Sequence, residues 1–170
     1  MSLRRVQIIR CGLILSLFGN EELRGQNTAT VSPPANTNRV LELDGKGSYV
    51  ELPNAVFETL DDATVEGWIK WDEFASQSRF FDFGEAYHSV HIKKEGIESL
   101  LVLSVSTNQA RGFLSPAIQV SGSLKLHEWV HLAAVTGRQG MKLYLNGVLL
   151  GTNAETASFS RVDSPNPKSY

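Results

Sequence analysis

The segment 129–153, WVHLAAVTGRQGMKLYLNGVLLGTN, constrains the fold of this chain more than any other part of the sequence. Apolar and polar residues alternate along it, and the alternation predicts three strands, at 129–135, 141–145 and 148–152. Residues 137–140 begin and end with glycine and form the first predicted turn. The second turn is Asn146-Gly147, a strong indicator of a two-residue hairpin because both residue types accept positive φ at little cost. The segment therefore predicts an antiparallel meander.

The rest of the chain carries the same pattern, with turn residues about every eight to twelve positions. Further strands are predicted at 40–43, 49–52, 63–71, 79–83, 89–93, 100–106 and 117–120. Helical periodicity is not sustained anywhere, and 54–60 has room for one turn of helix only. With the meander this makes about ten strands, so we expect an all-β fold, either a sandwich or a barrel.

The N-terminus predicts a different kind of segment. Arg4-Arg5 precedes a mostly apolar run, 6–18, that is too short to cross a bilayer as one helix. This order is typical of a secretory leader, although Arg10 interrupts the run. We expect a signal peptide at 1–26, a flexible Pro-containing linker at 27–38 and the folded domain at 39–170. The alternative is a disordered start with no targeting role.

Cysteine content and charge narrow the function. The single cysteine, Cys11, lies inside the expected leader, so the mature chain would contain neither a disulfide nor a cysteine zinc site. The net charge is −2 and lysine and arginine do not cluster, which argues against nucleic acid and anionic membrane surfaces as partners. We expect a secreted or extracytoplasmic bacterial protein with no membrane insertion of the mature domain.

Four segments in order, RVLELDGKGSYVELP, ATVEGWIKW, FFDFG and HEWVHLAAVTGRQGMKLYLNGVLLG, resemble the laminin-G-like, concanavalin A-like jelly-roll domains of secreted bacterial proteins. The resemblance covers about 39–152. It implies an antiparallel two-sheet jelly-roll sandwich used for recognition. Members of the family usually continue with further strands beyond this point, so we expect a C-terminally incomplete domain, with other domains of a longer parent chain as further partners.

Catalytic constellations are sparse in the sequence. Glycoside hydrolysis requires two carboxylates at a defined separation, and the nearest approach is Glu66, with no second carboxylate correctly placed on its strand. His88 and His91 point to opposite faces of an extended strand. His127 and His131 are too far apart in an extended chain to hold one ion. We expect no enzymatic activity, and a structural role for His131 within its sheet.

Calcium is the metal that the resemblance most often implies, bound through loop oxygens. Asp44, Asp61, Asp62 and Asp82 lie at or near predicted turns. They show no EF-hand spacing, and each aspartate has a simpler role as a turn or solvated loop residue. Calcium therefore stays an open expectation, and no residue is assigned as a metal ligand.

Aromatic side chains are the remaining candidates for ligand binding. Trp71, at a strand end, and Tyr87, in a loop, are predicted as exposed platforms for sugar rings. Trp68 and Trp129 lie at positions that define the fold in the family that the sequence resembles. We expect them to contribute mainly to packing. The predicted function is a non-catalytic module that binds glycans or extracellular protein surfaces. The alternatives are a structural spacer and the extracellular sensing portion of a larger signalling protein.

Overall fold

The structure is a computed structural model, and it describes residues 40–43, 48–50, 52, 56–57, 59–85, 88–106 and 115–162. The expected leader, 1–26, and linker, 27–38, lie outside the described residues, as does Tyr87.

Eight strands and one short helix make up the regular structure of the described residues. In chain order they are β1 (Ala63–Ile69), β2 (Ser78–Glu85), β3 (His88–Glu95), β4 (Leu100–Ser106), β5 (Ala117–Val120), β6 (Val130–Thr136), β7 (Met141–Leu145), β8 (Val148–Asn153) and α1 (Phe159–Val162). The strands form two four-stranded sheets, β1-β6-β7-β8 and β2-β3-β4-β5, and every pair is antiparallel. We call them the first and the second sheet. The predicted all-β, two-sheet antiparallel sandwich is confirmed.

The predicted meander is confirmed as β6, β7 and β8. Asn146 and Gly147 join β7 to β8 with φ angles of 50° and 78°, the positive values that a tight hairpin turn requires. The Asn146 side chain also reaches the neighbouring strand, because its Oδ1 accepts the backbone N–H of His131 at 2.8 Å. The turn thus fixes the register of β6 as well as that of its own hairpin.

The core lies between the two sheets and follows from the two-residue period of the strands. Val65 and Ile69 in β1, and Val130, Leu132 and Ala134 in β6, are buried on the inner face. At one end of the sandwich four phenylalanine rings meet with centroids 5.2 to 5.8 Å apart, Phe57, Phe81, Phe83 and Phe159. Helix α1 contributes Phe159 and Val162 to this core, and with four residues it is too short to show a periodic pattern in the sequence.

Two predicted strands differ from the structure. Residues 40–43, and the described residues 49, 50 and 52, are not strands, although Leu43 is buried and Val50 and Leu52 pack against the core. The prediction of strands is therefore wrong for these described residues, while part of their apolar side chains belongs to the core. In the region predicted to hold one helical turn, the Leu60 N–H donates to the Phe57 carbonyl at 3.0 Å.

Candidate functional site

The outer face of the first sheet carries the most exposed large aromatic rings of the described strands. Strand β1 buries Val65, Gly67 and Ile69, so alternation turns Thr64, Glu66 and Trp68 to the outside. Trp68 is 43% exposed and lies directly opposite His131 of β6. Their ring centroids are 5.4 Å apart at an interplanar angle of 59°. A large indole is thus held at the surface by a cross-strand neighbour.

Trp129 lies beside this pair. It immediately precedes β6 and is 39% exposed. The Nζ of Lys70 stands 5.8 Å from the centre of its ring, a cation–π arrangement. The same ammonium is 3.7 Å from Oδ1 of Asp72. We refer to Trp68, Trp129, His131 and Lys70 together as the aromatic strip.

A row of three paired residues adjoins the aromatic strip. Ala133 pairs with Glu66 on one side and with Tyr144 on the other, and all three lie on the outer face. Ala133 is 8% exposed, whereas Glu66 and Tyr144 are half-buried. The row, which we call the Ala133 row, therefore presents a carboxylate and a phenol beside the strip.

The predicted platform at Trp71 is wrong. The ring is 2% exposed and belongs to the hydrophobic core. The reason is the two-residue period of the strand. Trp71 continues the series of buried residues Val65, Gly67 and Ile69, so its side chain lies on the inner side just after β1 ends. Its carbonyl accepts the N–H of His127 at 2.8 Å, which holds the chain in that direction. A ring so covered has no face to offer a sugar.

Sequence reasoning missed Trp68 and Trp129 as exposed residues. The signal that would have found them is the same alternation, since Trp68 shares a face with Thr64 and Glu66, two polar residues. The prediction that Trp129 and His131 share a face is confirmed. His131 lies half-buried within its sheet, as expected.

The outer face of the second sheet is polar. Asp82, His91 and Ser104 lie side by side on three neighbouring strands. The Arg79 guanidinium is 2.7 Å from Oδ2 of Asp82, yet burial outweighs this attraction and raises the pKa of Asp82 above its usual range. Burial is also the main reason that the pKa of His91 falls to about 4, with the Lys93 and Arg79 charges adding to it. His91 is therefore neutral at pH 7.

The contacts of His91 do not form a catalytic arrangement. Its Nδ1 lies 3.4 Å from the hydroxyl oxygen of Ser89, a residue that is itself buried. A general base that activates a serine is oriented by a carboxylate and has a pKa nearer the working pH. Here the nearby carboxylate, Asp82, is engaged by Arg79. We interpret the polar residues on this face as a network with a structural role.

The candidate calcium ligands are held by other protein groups. Asp62 accepts the backbone N–H and the Nε–H of Arg138 at 2.8 and 2.7 Å, and these bonds lower the pKa of its carboxyl. Asp61 accepts the Ser160 hydroxyl at 2.6 Å. Asp44 lies outside the described residues. Within the part of the chain that the structure describes, no three His, Cys, Asp or Glu side chains gather as a metal site would require.

Glu66, the candidate for glycosidase chemistry, stands among non-acidic neighbours. On its own strand the outward residues beside it are Thr64 and Trp68, and across the strand pair they are His131, Ala133 and Val135. A glycosidase places a second carboxyl group within reach of the same glycosidic bond. None of these neighbours carries a carboxyl group.

The two-sheet sandwich and its open aromatic face define a β-sandwich domain of the binding type. The chain belongs to the concanavalin A-like lectin/glucanase superfamily, whose laminin G profile matches residues 44–167. This confirms the resemblance found in the sequence. A comparison with curated proteins gives no significant match. Laminin G-like domains are typically non-catalytic binding modules and are usually extracellular. In the described segments, no helix has the length and apolarity to cross a bilayer.

Proposed function

We propose that this chain is a non-catalytic recognition module that binds glycans as part of an exported bacterial protein. The observation that carries the proposal is the aromatic strip, two tryptophan rings about 40% exposed, 43% and 39%, on one face of a sheet. Exposed apolar residues that lie next to one another on a surface, unlike single scattered ones, are typical of binding sites. Their flat faces match the C–H faces of sugar rings, and the surrounding polar groups match sugar hydroxyls.

Family membership supports the same proposal. The sandwich supplies a rigid sheet, and side chains on a sheet hold their positions more closely than those on loops. The fold alone does not specify a ligand, so the proposal depends on the outer face of the first sheet.

The proposal is tested by screening the full chain on a glycan array, once with 2 mM calcium (about the concentration that weak extracellular sites need) and once with a chelator. We expect binding to a subset of glycans. If the folded protein binds none in either condition, the recognition function is wrong and a spacer role is favoured. Binding that vanishes in the chelator would add a calcium site to the module. Circular dichroism of the same sample establishes that it is folded.

A further inference from the structure

We propose that the aromatic strip and the Ala133 row together form a binding site for neutral glycans, with sugar rings stacked on Trp68 and Trp129. This inference rests on the proposed function and adds to it the position of the site and the charge class of the ligand.

The two indole rings lie close enough to act on one ligand. In the antiparallel register Trp68 pairs with His131, and Trp129 lies two residues before His131 on the same face. Such diagonal neighbours are about 7–8 Å apart in a sheet, within reach of large aromatic side chains. An extended oligosaccharide that lies across β1 and β6 therefore meets both rings.

Both rings are also fixed before a ligand arrives. Trp68 is supported by the imidazole of His131, and Trp129 by the side chain of Lys70. Lys70 is in turn held by Asp72. Ordering a side chain on binding costs free energy, so rings that are already supported lose less when a sugar stacks on them.

The Ala133 row supplies the polar part of the site. A pyranose stacked on Trp68 extends its hydroxyl groups towards this row, where the Glu66 carboxylate and the Tyr144 phenol stand on either side of Ala133. A carboxylate accepts hydrogen bonds, and a phenol both donates and accepts. These residues pair specifically with hydroxyl groups, which a stretch of apolar protein surface lacks.

The charges on this face argue for a neutral ligand. Among the described residues, Lys70 and Lys142 on this face are balanced by Glu66 and Asp72, and Lys125 pairs with Glu128 just before Trp129. Recognition of uronic acids or sulfated sugars requires cations left over for the ligand, as in arginine clusters. Here Lys70 is shared between Asp72 and the Trp129 ring, and Glu66 would repel an acidic sugar beside Trp68.

The experiment measures the affinity of the full chain for neutral hexasaccharides (cello-, xylo-, laminari- and manno-hexaose) and for acidic ones (oligogalacturonate and heparin-derived hexasaccharide) by isothermal titration calorimetry. We expect at least one neutral probe to bind and the acidic probes to bind on the order of tenfold more weakly, or not at all. Tight binding of acidic probes alone overturns the inference while leaving glycan recognition in place.

Variants then locate the site. Trp68→Ala and Trp129→Ala should each weaken neutral-probe binding on the order of tenfold or more, whereas Trp68→Tyr keeps a stacking surface and retains most of the affinity. Ala133→Gln places a longer side chain between Glu66 and Tyr144 and should weaken binding to a similar extent. Ile97→Ala is the matched control, because Ile97 is 85% exposed in the turn between β3 and β4, away from the strip.

The outcomes separate this inference from the proposed function. Neutral binding that survives both tryptophan-to-alanine changes overturns the inference, because glycans are then bound elsewhere on the molecule. No binding to any probe by the folded wild type overturns both. If Trp68→Ala lowers the unfolding temperature sharply while affinity stays unchanged, the ring serves packing, and the site is again wrong. Unfolding curves are recorded for every variant.

Discussion

Acidification is expected to destabilise the folded chain through one side chain, His91. Burial is the main reason that the pKa of this imidazole falls from 6.5 to about 4 in the folded state, and Lys93 and Arg79 lower it further. Glu95 acts in the opposite direction. Between these two pH values the unfolded chain binds a proton at His91 and the folded chain does not. The free energy of unfolding therefore rises with pH across this window. The contribution of His91 is fully present above pH 6.5 and is lost as the pH falls towards 4.

The size of the effect follows from the difference between the two pKa values. The interval from 6.5 to about 4 spans about 2.5 pH units, and each corresponds to about 1.36 kcal/mol. The upper limit is thus about 3 kcal/mol, and partial exposure of the ring reduces it, so we expect a loss of about 2 kcal/mol. A loss of this size is a large part of the stability of a small domain.

Urea unfolding at several pH values between 7.5 and 4 measures the effect. The wild type should lose stability on acidification, while His91→Asn should show a flatter profile because it has no proton to gain. Ser89→Ala is the control, since it removes the hydroxyl beside Nδ1 but keeps the imidazole, and it should keep the wild-type slope. Equal pH slopes in the wild type and His91→Asn would refute the reasoning.

Three further predictions concern packing and the Asp62–Arg138 contact. Gly137→Ala should lower the free energy of unfolding by about 1–3 kcal/mol, because a Cβ there would stand 2.3 Å from the Asp62 carboxylate. An unchanged unfolding temperature would contradict this. Phe159→Ala removes a ring that contacts three phenylalanines, and it should lower the free energy of unfolding in urea by about 3–5 kcal/mol. A loss below about 1 kcal/mol would place the ring outside the core. Arg138→Met should raise the pKa of Asp62 towards its ordinary value, because hydrogen bonds from Arg138 are the main cause of the lowered pKa. A carboxyl NMR titration that finds the pKa unchanged would contradict this assignment.

The strands of the meander could be predicted from the sequence because their information is local. Alternation sets the faces of β6, and Asn146-Gly147 sets the turn that follows β7. Both signals act over a few residues and do not depend on distant packing. The same applies to β4 and β5, whose bounds, Leu100–Ser106 and Ala117–Val120, match the predicted ones.

Other features depend on partners far along the chain. Asp62 and Arg138 meet across 76 positions, and nothing near either residue in the sequence indicates the pairing. Lys94 lies inside the sandwich although lysine is ordinarily a surface residue, and its ammonium donates hydrogen bonds to the carbonyls of Phe74, at 2.8 Å, and Gly96. Such burial becomes possible only once the surrounding loop supplies acceptors.

The exposure of Trp71 and Trp68 was predicted wrongly for a more instructive reason. Trp71 was predicted as exposed because it stands at a strand end, and Trp68 was assigned to packing because of the family pattern. The two-residue period of β1 alone gives the opposite assignment, since Trp71 follows the buried series ending at Ile69. Local alternation was the better guide here because it reflects which side of this particular strand meets the core.

Acrylamide quenching of tryptophan fluorescence, with and without the tightest-binding neutral hexasaccharide, tests recognition through the aromatic strip most directly. Of the three tryptophans, Trp68 and Trp129 are open to the quencher and Trp71 is buried. Saturation with the sugar should cover the two exposed rings and reduce quenching markedly, and the protection should shrink in Trp68→Ala. Quenching that stays the same at saturating sugar would show that glycans, if bound, do not touch these rings.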